Sequence, residues 1–403
     1  MTRKLLLLSM ACACIQGVRG VESDPAGFVT VNLAGNSDSY VYIPFKRSPA
    51  FVGMAASLSN NGAYDPGEPF TDNVTVNGTW DAGEPFTDTN NVVTLAGTPA
   101  LTVNQFVYAA GTQPNRYYAF LKAGTRAGMY YSVVSNAGGS LTLDLAGDDL
   151  ANAGAITGTT SLEVIPYYTL GSIFPAGVGV HSSSSHSASP SIRRSSLFVP
   201  DQSTAGKNLA FPISYYYYTG AVSPGEGWRR AGFSDVIAND DVLPPDTFFA
   251  VRHNIATQTT LTFTGTVQMS QLSTPINTIQ SATDQDNAVA LPFATEMTLA
   301  QLKLYESGAF VGSGSHSAGQ RQDVVLVWDN TVAGRNKAAD ASYYYYTGGV
   351  SPGPGWRRAG VSDVVADNDI VVGPNKCIVI RKKATAQPIS SLWSVRPPYV
   401  PTN

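Results

Sequence analysis

The strongest constraint in this chain is a passage that occurs twice. Residues 215–237 read YYYYTGAVSPGEGWRRAGFSDVI and residues 343–365 read YYYYTGGVSPGPGWRRAGVSDVV, so Tyr215 returns as Tyr343, Tyr217 as Tyr345 and Trp228 as Trp356 at one constant offset. The likeness runs back through FVPDQSTAGKN at 198–208 and LVWDNTVAGRN at 326–336. It runs forward through NDDV at 239–242 and NDI at 368–370, and after a one-residue slip it aligns AVRH at 250–253 with VIRK at 379–382. About sixty residues are duplicated, the size of a small structural module, and a repeat of this length sets the architecture before any local motif does. LEVIPYYTLGSIF from Leu162 and VALPFATEMTLAQLKLY from Val289 precede the two copies. The repeats are therefore expected at 162–253 and 289–383, the second followed by a tail to residue 403, with YVYIPF at 40–45 as a further copy of the leading strand. Residues 254–288, with the alternating TTLTFTGTVQM, read as a connecting strand and loop.

Four consecutive tyrosines suit a pleated strand, where alternate rings face opposite sides. Thr-Gly and Ser-Pro-Gly then supply a turn, and Trp-Arg-Arg opens the return strand, so each copy predicts a hairpin with cross-strand aromatic pairs. Two uses of the rings follow from this: cross-strand structural pairs, or an exposed platform of Tyr215, Tyr217, Trp228, Tyr343, Tyr345 and Trp356 for sugars or polymer chains. The rest of the chain agrees with strands. Charged residues make up only 13% of it, while 38 glycines and 25 prolines punctuate short alternating runs. The expected fold class is all-β: two related β-sandwich-like modules, with a small barrel-like segment at 92–161 and N-terminal strands at 21–56. Thr298 and Gln301 stand at capping-box spacing and mark the best helix start.

The N-terminus carries Arg3 and Lys4, an apolar run from Leu5 and then small residues, which is the layout of a secretory signal over residues 1–20. The expectation is an exported protein of the extracellular space or cell envelope, with no transmembrane segment after signal removal. Cys12 and Cys14 suggest a rival reading, lipid attachment, although neither follows a convincing lipobox. Loss of Arg3, Lys4 and Arg19 takes the formal charge from −4 to −7. An acidic exported protein has no electrostatic case for nucleic acid as a partner. Of the cysteines only Cys377 then remains, in the apolar run CIVI, where it reads as a small buried hydrophobe.

Residues 57–91 form a second, shorter repeat, NG-x-[YW]-D-x-GEPFTD, rich in oxygen ligands. Hard cations such as calcium take six to eight oxygens around a tight glycine turn. Asn61, Asp65 and Glu68 in the first copy, and Asn77, Asp81 and Glu84 in the second, fall at positions five, nine and twelve of an EF-hand-like loop. Asn73 takes position one of the second loop, and Asp72 and Asp88 could serve neighbouring sites. The stretch resembles the calcium-binding repeats of exported bacterial proteins related to EF-hand and dockerin loops, with fewer acidic ligands. The resemblance implies weak calcium sites that rigidify the insert; the competing reading is a solvated array of acidic turns.

Enzyme signatures such as HExxH, GxSxG and a Walker loop are absent from the sequence. His181 and His186 lie in one serine-rich loop and His316 in its counterpart, as loop residues or as parts of a soft metal site. Arg229 and Arg230, with Arg357 and Arg358, could pair with Asp235 and Asp240 or with Asp363 and Asp369, and as surface pairs these contribute little. Taken together, DPAGFVTVNL, RAGMYYSVVSNAGGSLTLDLAGDDL, IPYYTLGSIFPAG and the doubled YYYY-TG-GWRRAG resemble a family of exported repeat-containing proteins of Verrucomicrobia. The resemblance implies an envelope-associated or secreted β protein and carries over no catalytic residue. The leading expectation is a non-enzymatic surface or matrix protein that associates with itself, through exposed strand edges, or with cell-surface polysaccharide. A glycan-binding module using the tryptophans is the alternative, and a hydrolase built on paired carboxylates the remote one.

Overall fold

The computed structural model describes residues 25–59, 64, 70–76, 78–88, 91–150, 154–185 and 192–401. The expected signal, with Cys12 and Cys14, lies outside them. The fold is all-β, as the alternating, glycine-punctuated sequence implies, and its described helical pieces are a single turn at Leu170–Ile173 and two short 3-10 turns. No described helix is long and apolar enough to cross a membrane.

Two five-stranded antiparallel sheets correspond strand for strand. In spatial order the first holds Gly227–Arg230, Ile213–Tyr218, Ser195–Val199, Phe249–His253 and Asp38–Val41. The second holds Gly355–Arg358, Ala341–Tyr346, Val324–Asp329, Lys376–Lys382 and Gln285–Val289. A two-stranded ribbon covers one face of each: Ala26–Leu33 with Thr259–Thr266, and Leu272–Thr278 with Ile389–Val395. The alternation of the ribbons drives this packing. Val31, Leu33, Leu261 and Phe263 point inward onto Leu197, Tyr215 and Trp228, while the threonines between them stay outside. Leu272, Ile276, Trp393 and Val395 cover Val325, Tyr343 and Trp356 in the same way. Thr259–Thr266 thus closes the first sandwich and Leu272–Thr278 opens the second, both inside the stretch read as a connector. The first sandwich also recruits the N-terminal strands. Asp38–Val41 pairs with Phe249–His253 as Gln285–Val289 pairs with Lys376–Lys382, so YVYIPF is the counterpart of AVALPF.

Between Phe45 and Tyr168 the first module carries a closed six-stranded barrel; the second joins the equivalent Phe293 and Met297 by a short loop. The barrel takes in Phe51–Ser59 and Thr160–Pro166 besides the four strands within 92–161. LEVIP is therefore a barrel strand. The barrel interior is filled by residues such as Leu95, Phe106, Leu141, Leu143 and Leu162, so it is a core and not a channel. Its outer face presents Tyr118, Phe120, Tyr130 and Ile165 to the core of the second module. The acidic insert is the excursion between its first two strands, which still pair at Ser59 and Val92.

The expected helix at Thr298 is a correction. The capping bonds form, with Thr298 N–H donating to Gln301 Oε1 at 2.9 Å and Gln301 N–H to Thr298 Oγ1 at 3.4 Å, but a run of turns follows. Lys303 has φ 50°, a left-handed conformation that interrupts a right-handed ladder. The described α-turn sits instead at the equivalent place in the first module, capped by Thr169 and Ser172.

Each module finishes the other's sheet. Asp38 N–H donates to Gly334 O at 2.9 Å, and Asn330 brackets the Tyr40 backbone at 2.8 and 2.6 Å. Reciprocally, Asp286 N–H donates to Gly206 O at 2.9 Å. Asp38 holds Arg252, which also donates to Asn336 Oδ1 at 2.6 Å; Asp286 holds Arg381, which donates to Asn208 Oδ1 at 2.7 Å. The same Asn-Asp-Arg clasp therefore occurs twice, each time across the two halves.

Candidate functional site

The tyrosine hairpins form as the sequence predicts, with Tyr217 opposite Trp228 and Tyr345 opposite Trp356. Their placement rules out an exposed platform. Trp228 and Trp356 are each 1% exposed, Tyr215, Tyr217 and Tyr343 are buried, and Tyr345 is half-buried with its ring stacked 3.7 Å from Tyr305. The reason lies in the ribbon and the 170–177 turn, which cover the face these rings occupy: Trp228 packs on Phe174, and its indole N–H points at Phe174 O. Phenols at the edge of that core find carboxylates, Tyr215 on Asp241 at 2.8 Å, Tyr217 on Glu226 at 2.7 Å and Tyr343 on Asp369 at 3.0 Å. Burial, aided by these neighbours, pushes Tyr217 and Tyr343 up to about 12.

The alternate tyrosines face the other way and are buried too. Arg193 lies over Tyr216 and Arg321 over Tyr344, at 4.4 and 4.5 Å. Arg229 and Arg357 are fully buried rather than in surface pairs: they donate to Gly225 O and Gly353 O, and so hold the hairpin tips. Val222 and Val350 N–H, in those tips, donate to Tyr218 Oη and Tyr346 Oη. The last tyrosine and first arginine of each motif are thus turn-holding residues, a role that the sequence pattern alone did not show.

The hairpin tips and the loop after each Trp-Arg-Arg strand display apolar side chains. Val222, Phe233, Val236 and Ile237 are exposed in the first module, and Val350, Val361, Val364 and Val365 at the same four positions in the second. Phe233 is 60% exposed and Val361 48%. Beside them the free edge of each sheet is closed: Trp228 N–H donates to Asn239 and its carbonyl accepts from Ala238, and Trp356 does the same with Asp367 and Ala366. The opposite edges are covered by the inter-module loops described above. The expectation of exposed edges on the main sheets is thereby corrected; what they offer is a side-chain surface, present twice.

In the acidic insert Asn61, Asp65, Glu68 and Asn77 lie outside the described residues. The described parts of the two copies meet at a Phe70–Phe86 bridge, and Tyr64 stacks on Trp80 at 4.7 Å. Glu84 accepts from Asp81 N–H at 2.8 Å and from Val74 and Asn73 N–H at 2.9 Å each. These backbone donors, Asp81 first, hold its carboxyl below the usual range. Its two oxygens serve the main chain, where an EF-hand glutamate would spend both on the ion. Asp72 accepts from Gly78 N–H at 2.7 Å through Oδ2, and its Oδ1 is buried without a hydrogen-bond partner. No group of three or more His, Cys, Asp or Glu side chains among the described residues is placed to hold a metal ion. Of the candidate ligands, Asp72 therefore has an oxygen to offer, while Glu84 would first have to give up its backbone bonds.

His181 and His316 stand in separate modules. His181 packs against His253 at 4.7 Å, and His316 stacks on Tyr346 at 3.9 Å; His186 lies outside the described residues. Cys377 is buried, as expected, and burial pushes its thiol up. A scan against protein-family models, a search of curated proteins and a search of solved structures each find no match to this chain.

Proposed function

We propose that this is an exported, non-enzymatic structural protein of a cell surface or extracellular matrix that associates with its own copies. One observation carries the reading: four apolar residues are exposed at equivalent positions of both modules, Val222 and Val350 on hairpin tips that buried Tyr–Arg pairs hold in place, and the other three in the loop after each Trp-Arg-Arg strand. Exposed apolar side chains repeated on the tip and following loop of a hairpin mark contact surfaces. Two equivalent patches on one chain give each molecule a valence of two, enough to build rings or open chains. The acidic insert, hung from the barrel, adds a calcium-stabilised element in this reading.

Light scattering on the mature protein, in millimolar calcium and again after a chelator, tests both parts. Large species are expected, and Phe233→Ser together with Val361→Ser should reduce them to monomer without lowering the melting temperature. A wild-type monomer under both conditions sinks the assembly reading. A polymer indifferent to chelation removes calcium from it.

A further inference from the structure

A cleft of about 860 Å³ lies where the barrel meets the ribbon of the second module. That volume is in the range of small-molecule binding sites. Three elements build it: the barrel strands Tyr130–Ala137 and Ser140–Asp144, the ribbon Leu272–Thr278 with Ile389–Val395, and a loop of the first module that brings in Asp246. The barrel is inserted in one module and not the other, so the repeat offers no second copy of this junction.

Its polar groups are set by their neighbours. Tyr131 donates to Asp148 Oδ2 at 2.6 Å, and Arg126 forks onto both Asp148 oxygens at 2.8 Å, so the cleft's arginine is already paired. Tyr130 donates to Asp246 Oδ1 at 2.7 Å from the other face of the same strand. Asp246 is half-buried at the wall of the cleft, and the surrounding protein raises its carboxyl above the usual range, against the pull of the Tyr130 hydrogen bond. Asp144 accepts from Ala146 N–H at 3.0 Å through one oxygen. Asn277 lines the same wall with an Oδ1 shielded from solvent and without a hydrogen-bond partner. Between these groups run apolar side chains, Met129, Pro275, Pro388 and Leu392 among them.

The geometry points to a binding site for a segment of neutral oligosaccharide. Carboxylate and amide acceptors suit sugar hydroxyls, and the apolar strip suits the C–H faces of the rings. The lining cation Arg126 is already held by Asp148, and Asp144 and Asp246 add negative charge to the walls, so an acidic polymer would be repelled. The three carboxylates do not form a metal-holding group. This site is separate from the exposed quartets and would persist in a monomer.

Titration calorimetry with cellohexaose, maltohexaose and chitohexaose, and with hexagalacturonate as the acidic probe, tests it on the full mature chain. At least one neutral hexaose should bind at millimolar concentration or better. Asp246→Asn keeps the shape but removes the charge-assisted acceptor, and should weaken binding about tenfold or more. Should that variant fold poorly, Asn277→Ala replaces it, since no side-chain hydrogen bond is lost there, and amide exchange should slow over 272–278 when the sugar is bound. Phe233→Ser should leave binding unchanged. No binding by any neutral probe, preference for hexagalacturonate, or affinity indifferent to both cleft variants would overturn the assignment.

Discussion

His253 and Lys382 hold the same position in the two modules and solve one problem with different chemistry. Lys382 is paired with buried Asp323, which also accepts from Val311 and Lys383 N–H. In the first module Ser195 replaces the aspartate and sits 2.8 Å from His253 Nδ1, while Thr259 Oγ1 lies 2.8 Å from Nε2 and donates to Gly179 O. A neutral ring that accepts at Nδ1 and donates at Nε2 satisfies the whole chain of hydroxyls. Burial, with His181 next, lowers His253 from 6.5 to about 4. The unfolded chain then takes its proton first as the pH drops. The stabilisation is whole above pH 6.5 and is lost as the pH falls towards 4, by about 3 kcal/mol in all. Urea unfolding between pH 7 and 4, wild type against His253→Gln, should show that extra loss in the wild type; parallel curves would refute it. Trp228→Ala and Trp356→Ala each empty a core position and should cost about 3–5 kcal/mol, read from denaturation midpoints. An exposed ligand platform would instead lose its rings with little effect on stability.

At the scale of elements, the loops 201–208 and 329–336 connect strands of their own sheet and close the edge of the other. Their last residues, Asn208 and Asn336, have φ of 54° and 50° and donate backbone N–H to Asp286 and Asp38 at 2.7 and 2.8 Å. Asparagine tolerates that conformation and its amide reaches the arginine as well. Asn208→Ala and Asn336→Ala should each cost about 2 kcal/mol, from strain plus the lost hydrogen bond to a charged group. Glycine at either position should recover the strain and not the bond. Equal stability of the Ala and Gly variants in thermal unfolding would show that strain plays no part. The capping box at Thr298 makes the converse point. Local pattern placed its two hydrogen bonds correctly, yet burial of Leu299, Leu302 and Leu304 against the second core is met by turns rather than a helix.

Across the whole molecule, two sandwiches, a barrel and an acidic insert share one chain, and their junctions are where the candidate chemistry lies. The duplicated passage determined by itself that there would be two equivalent aromatic modules, because alternation and turn residues act over a few neighbours. The all-β class, the tyrosine hairpins and burial of Cys377 were legible for the same reason. Which face of each hairpin would be covered was not legible, since the covering ribbons lie far away in sequence: Thr262 meets Thr30 and Trp393 meets Thr274. Arg229 and Arg357 are buried although their charge suggests a surface position, because a tyrosine ring and a backbone carbonyl receive each guanidinium. The Asp246 cleft left no trace in any local motif; Tyr130 and Asp246 are 116 positions apart. Tertiary structure alone decided the barrel's insertion after Phe45, the twofold exchange of loops and the cleft between them. Each depends on contacts between distant segments, whose stabilisation comes from burial and from completing backbone hydrogen bonds that no single segment can complete within itself.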